Sequence, residues 1–368
     1  MTVLISALAF LLLLSFLVLI HECGHFFAAR SAGVVVEEFG FGLPPRAKTL
    51  FKRGGTRFSL NWIPFGGFVR LQGESAVTER ERRAAGSFAH ASIPARVVIL
   101  VAGVFMNFLF AVVIFTLGFS LWHWIPTYLT ADDMKAAIAE GEVVVSRGVR
   151  IAALQKDGTA AAAKIPAPSA LLKVNDTNIL FPTDVVDAQK GKTSVTYTLQ
   201  PEATPGKIVT VTLPVHEGKT GVELESPSVN APMRSPLRAS LLALREAKVT
   251  TVQTVIGITH LFASLAWHGS VPEGITGIVG IVALTSESVQ QGFLSYLRLM
   301  AVLSLSLAIF NILPFPSLDG GRLLFVIVEA IARRPAPRRF ELITNTVGFL
   351  ILILLMVLVT FNDILKLF

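Results

Sequence analysis

The sequence predicts a multi-pass α-helical membrane protein with four transmembrane helices, a membrane-associated β-hairpin region and a small extracytoplasmic α/β domain. Three observations predict it. Of 368 residues, 52% are hydrophobic and only 15% are charged, where a soluble globular protein carries about 25% charge. The charges lie in blocks between uncharged runs long enough to cross about 30 Å of hydrocarbon. Between the second and third runs the composition changes to alternating strand-like segments with turns, an ordinary domain in size.

The runs Met1 to Ile20, Val97 to Trp122 and Ile343 to Phe361 carry no charge, and Phe293 to Leu313 carries one, Arg298. The first lacks a basic leader and a small-residue cleavage site, so it reads as a retained span. Residues 31 to 96 hold ten basic side chains against five acidic ones, and five arginines fall between 322 and 339. Positive loops stay on the cytoplasmic side. Both termini and the stretch from about 123 to 292 are then extracytoplasmic. Val249 to Trp267 is apolar but holds Gln253, His260 and several threonines, a mixture that suits a helix lying in the interface. The net charge of +7 is spread over loops rather than one basic face, which points to a lipid bilayer and not to nucleic acid. The single cysteine, Cys23, excludes a disulfide framework and any four-cysteine metal site.

The first run continues as His21-Glu22-Cys23-Gly24-His25. Histidines four apart on a helix share a face, so both imidazoles can reach one metal ion, and Glu22 beside them can act as base for an attacking water. HExxH alone occurs by chance, but ionisable groups at membrane depth are costly and usually functional. A catalytic zinc needs a third protein ligand. Asp319 stands at comparable depth in Asn311-Ile312-Leu313-Pro314-Phe315-Pro316-Ser317-Leu318-Asp319-Gly320-Gly321, where two prolines break the third span. The alternative is that Asp319 caps a helix running from Leu323 to Ile331. A site shared by His21, His25 and Asp319 requires that Asp319 emerge on the cytoplasmic side, which limits the chain to four spans.

HECGH at the end of a first span together with NILPFPSLDGG after a later one resembles the site-2 protease family of intramembrane zinc metalloproteases, and within it the bacterial regulator of sigma-E protease group. Segments 66 to 69, 102 to 108 and 274 to 281 resemble the family as well. The resemblance implies one zinc ion held by His21, His25 and Asp319, with Glu22 as general base. It implies substrate contact by Asn311, Pro314, Pro316, Gly40, Gly42 and Asn107, with interhelical packing an equal alternative for Asn107. Relatives often carry histidine after LDGG, where this chain has Arg322.

A helical substrate hides its carbonyls in its own hydrogen bonds, so the enzyme must offer other backbone partners. Residues 34–39, 49–52, 56–60 and 68–71 read as short strands with a Gly54-Gly55 turn, and an edge there could take an unwound substrate as an added strand. The family resemblance implies a membrane-re-entrant β element here; a cytoplasmic hairpin on the headgroups is the alternative. Outside the membrane, residues 149–154, 170–179, 193–199 and 208–213 suggest four strands, with a helix at 182–189. Their order resembles a single PDZ domain spanning about residues 130–225, a candidate peptide-binding module and size filter. The resemblance implies cleavage of single-span membrane proteins, of the anti-sigma-factor or signal-peptide-remnant type, in the bacterial inner membrane. An inactive scaffold or chaperone using the PDZ-like domain is the alternative.

Overall fold

The computed structural model describes residues 2–74, 78–216, 218–334 and 336–366; Met1, where the first expected span begins, lies outside them. In chain order the elements are α1 (Thr2–Ser31), β1 (Val36–Arg53), β2 (Thr56–Leu71), α2 (Glu79–Arg82) and α3 (Ile93–Leu121). Then come α4 (Ala131–Ala139), β3 (Val144–Arg147), β4 (Arg150–Leu154), α5 (Thr159–Ala162), β5 (Ser169–Val174), β6 (Thr177–Asn178), α6 (Pro182–Gln189), β7 (Ser194–Pro201), β8 (Val209–Pro214), β9 (Val222–Glu225) and β10 (Ser228–Asn230). The chain ends with α7 (Pro236–His268), α8 (Ile278–Gln291), α9 (Phe293–Ile312), α10 (Asp319–Ala332) and α11 (Arg338–Leu365). They form two units, one of residues 1–118 with 236–368 and one of residues 119–235.

In the first unit α1 is 30 residues long, about 45 Å at the α-helical rise. It packs Leu13 and Leu17 on Met300 of α9, while Leu8, Leu12 and Phe16 stay exposed. Apolar side chains left bare on such a helix suit lipid rather than water. Gly24 brings α1 against α3: a methyl group there would lie 2.3 Å from the Ala102 carbonyl oxygen. Small residues permit this kind of close helix contact in a membrane. Among the described residues five helices are long and apolar enough to cross a membrane, α1, α3, α7, α9 and α11. The fifth, α7, is the segment the sequence assigns to the interface. Its first half buries Leu242, Ala243 and Ala247, whereas Val255, Ile256, Phe262 and Trp267 farther along are exposed. On the far side of the unit, Asp363 of α11 accepts the N–H groups of Gly277 and Gly280 at 2.8 and 2.9 Å, satisfying donors at the start of α8.

The β region differs from the four short strands expected. It is one hairpin of two long strands turning at Gly54 and Gly55, both with positive φ. The strands bend back on themselves, so Glu38, Phe39, Gly40 and Phe41 are each paired twice, with Gly67–Arg70 on one side and Arg57–Leu60 on the other. Sequence periodicity misses this because each strand alternates between buried and exposed stretches along its length. Glu38 lies inside the bend, 2% exposed, and accepts a paired hydrogen bond from Arg46 at 2.8 and 2.6 Å. The Arg46 guanidinium holds the Glu38 carboxyl below its ordinary range, overcoming the opposing effect of burial.

The second unit has a sheet ordered β8-β7-β5-β4-β9, with β6 against β5, and a separate β3–β10 pair. The strands read from the sequence fall at β4, β5 with β6, β7 and β8, and the helix at α6. Its core is formed by Ile151, Leu171, Val195, Leu199 and Leu213 around Tyr197, whose hydroxyl meets Thr220 Oγ1 at 2.8 Å and the Gln189 amide.

Because the Glu38 pKa is depressed on folding, its stabilisation is present above the unfolded carboxylate pKa, about 4.3, and is lost as pH falls through the lower folded value. Glu38→Gln should therefore loosen the hairpin by about 1–3 kcal/mol at neutral pH and by progressively less in acid. Hydrogen exchange of the amides in residues 36–71 measures this, and a penalty that does not change with pH would contradict the assignment.

Candidate metal centre

The C-terminal half of α1 carries His21 and His25 one turn apart, facing the start of α10. Their Nε2 atoms are 3.1 Å apart, and the Asp319 Oδ2 atom is 2.8 Å from the first and 3.2 Å from the second. Four ligands at about 2.0–2.1 Å from a tetrahedral zinc are separated by about 3.3 Å. These three atoms therefore stand near the spacing of one face of such a shell, and they form a group able to hold a metal ion. The His25 Nδ1 atom faces the Ile99 carbonyl at 2.8 Å. Donation of its proton to that carbonyl leaves the Nε2 lone pair directed at the shared point, the usual arrangement of a ligating histidine.

The alternative for Asp319 was a helix cap. Asp319 is the first residue of α10, but Leu318 is the capping residue, and the Asp319 carboxylate turns to the histidines. The turn that allows this is tight. Any side chain at Gly320 or Gly321 would meet the Leu313 or Phe315 carbonyl oxygen at 2.2 Å. Pro314 and Pro316 shape this turn without lining the cavity, and Pro316 packs on Gly348 of α11.

A cavity of about 520 Å³ opens at the three ligand atoms. Glu22 lines it, and its Oε2 accepts the Val69 N–H of β2 at 2.8 Å. Asn311 also lines it. Gly40 and Gly42 do not: they lie in the hairpin bend, where the Gly42 carbonyl accepts from the Asn61 amide at 2.9 Å. Asn107 is fully buried and does not line the cavity; its backbone carbonyl accepts from the Ser304 hydroxyl of α9 at 3.0 Å, while its side-chain amide has no hydrogen-bond partner among the described residues.

The contacts made by three residues at the site escaped sequence reasoning. Gly103 of α3 abuts both imidazoles, since a methyl group there would lie 2.5 Å from His25 Nε2 and 2.8 Å from His21 Nε2. Glu74, just after β2, and Arg322, one turn beyond Asp319, form an ion pair at the cavity wall. A glycine in an apolar span gives no hint of what faces it, and nothing local to Glu74 marks a partner 248 residues away.

Gly103→Ala should push the rings apart and weaken divalent-metal affinity by about 10- to 100-fold. Competition with a fluorescent chelator reads this directly; wild-type affinity in the variant would show that the imidazoles do not depend on the glycine.

Comparison with known proteins places the chain in a family. The family model described as Peptidase family M50 matches residues 9–355. A Clostridium perfringens protein named "Putative zinc metalloprotease" is 29% identical over 355 residues, covering 96% of this chain and 97% of the relative. One of the same description from Campylobacter jejuni is 30% identical over 380 positions, covering 98% and 93%. Another from Staphylococcus aureus is 25% identical over 448 positions, covering all of both chains. The chain therefore belongs to peptidase family M50, the site-2 protease family, whose members are zinc-dependent.

Proposed function

We propose that this chain is an intramembrane zinc metalloprotease that cuts transmembrane segments of single-span membrane proteins. The observation that carries the proposal is the convergence of His21, His25 and Asp319 beside Glu22 in one cavity of an apolar helical unit. His21, His25 and Asp319 would hold the zinc. Zinc in such a site supplies Lewis acidity, bringing the pKa of water toward neutrality and polarising a carbonyl. The Glu22 carboxylate takes the proton of the attacking water and returns it to the leaving amine. The Val69 N–H fixes one of its oxygens, so the hairpin orients the base. Asn311, on the wall, is placed to hold a substrate carbonyl or amide.

The same contacts support four spans, which put both termini on one side, and the basic loops put that side outside. Tyr296 near the start of α9 donates to the Ala9 carbonyl of α1, and Asp319, just beyond the end of α9, meets His21 farther along α1, so the two helices run in the same direction. Between two like-directed spans the chain crosses once, through α3, or three times. With α8 only 14 residues long, α7 then lies along the interface rather than across the membrane. In the hairpin the run Gly67–Leu71 borders β1 on one side and the cavity on the other. An unwound substrate adds to this edge as a further strand. Exposed Leu43, Trp62, Ile63 and Phe65 near the hairpin bend suit a re-entrant position in the acyl region. The second unit is read as PDZ-like, with the order of β4 to β8 and α6 supporting it. The proposed setting is the bacterial inner membrane, with anti-sigma factors or signal-peptide remnants as substrates.

Purified protein should bind one zinc per chain and lose cleavage of a tagged single-span substrate on chelation. Glu22→Gln should keep the zinc and lose about 10²- to 10⁴-fold in rate, whereas Asp319→Ala should lose the zinc itself. Cleavage that survives Glu22→Gln would contradict the proposed chemistry.

A further inference from the structure

The N–H groups on the cavity side of the β2 edge are not free. In a strand, alternate N–H groups point to the same side. Those of Val69 and Leu71 point away from β1, and both are taken by carboxylates of the protein itself: Glu22 Oε2 at 2.8 Å and Glu74 Oε2 at 3.3 Å. Two residues along a strand span about 6.7 Å, the repeat at which carbonyls of an added antiparallel strand would present themselves. The Val69 N–H stays with the Glu22 base, so the Glu74 carboxylate stands where a substrate carbonyl would bond. Glu22 is placed there by the chemistry, but Glu74 has no part in it. Its other oxygen is held by Arg322 of α10, and its carboxylate is largely sheltered, with 19% of the side chain exposed. The Glu74–Arg322 pair therefore ties the free edge to the helix that carries Asp319, across the cavity wall.

We propose that Glu74, pinned by Arg322, acts as a stand-in for a substrate carbonyl at Leu71 and competes with every incoming transmembrane segment for the strand edge. This rests on the strand-addition reading above. To seat itself a substrate must displace Glu74, which means giving up a charge-assisted ion pair and exchanging a hydrogen bond for its own. That cost is common to all segments and adds to the cost of unwinding each segment's own helix. Glu74 is in this sense a gate: it does not touch the reacting atoms, and it raises the threshold for entering the edge.

The test compares Glu74→Ala and Glu74→Gln with wild type on two single-span substrates, one with an all-leucine segment and one with a Gly-Pro pair at its centre. Both variants should lower KM by about five-fold on each substrate, leaving the ratio between the substrates as in wild type. Zinc content serves as the check that the site is intact. An unchanged or raised KM with zinc retained would overturn the proposal and leave Glu74 a structural tie. A second arm tests the underlying reading separately. In a Glu22→Gln, Cys23→Ala background, Arg70→Cys should form disulfides with substrate cysteines at every second position. If that alternation is seen and the Glu74 variants keep the wild-type KM, only the role of Glu74 fails. If it is absent, strand addition and the role of Glu74 fail together.

Discussion

Everything in the membrane unit is arranged around the cost of holding a carboxylate and two imidazoles together in apolar surroundings. A buried charge without compensation costs several kcal/mol, and His21, His25 and Asp319 gather within 3.2 Å of one another from chain positions 298 residues apart. A cation bound among them turns that cost into binding energy, because all three are ligand types that zinc accepts. Each neighbouring feature serves this convergence. Gly24 and Gly103 let α3 come close enough to press the rings together, the Ile99 carbonyl fixes one tautomer, and the Pro314 to Gly321 turn delivers the carboxylate.

The hairpin adds a second layer. Because Val69 donates to Glu22, the base and the edge strand are one hydrogen-bonded unit. The edge is also joined to α10 through Glu74 and Arg322, while Arg96 at the start of α3 grips Glu329 of α10 through two bonds of 2.8 and 2.9 Å. Movement of α10 is therefore coupled to both the metal ligand it carries and the surface proposed to receive substrate. A peptidase working within a bilayer must open a helical segment before cutting it, and a structure that links strand edge, base and ligand is suited to joining those two steps.

The grouping of His21, His25 and Asp319 was legible because its signals are local and chemically costly: HExxH at the end of an apolar run, and an aspartate in a proline-broken one. The strands and helix of the second unit were legible because they alternate in the ordinary way. What the sequence did not disclose has a common physical cause. The doubled pairing of Glu38 to Phe41, the contact of Gly103 with both imidazoles and the Glu74–Arg322 pair are tertiary, with partners set by the closure of the fold rather than by any periodicity. Gly40 and Gly42, expected to touch substrate, and Asn107, for which packing between helices was an equal alternative, do not line the cavity.

The central claim is that His21, His25 and Asp319 bind one ion together. Zinc-edge X-ray absorption of the metal-loaded protein tests it most directly. The account predicts one zinc per chain with two imidazoles and only nitrogen or oxygen neighbours at about 2.0–2.1 Å. A sulfur neighbour at about 2.3 Å, from Cys23, or a shell with fewer than two imidazoles would contradict it.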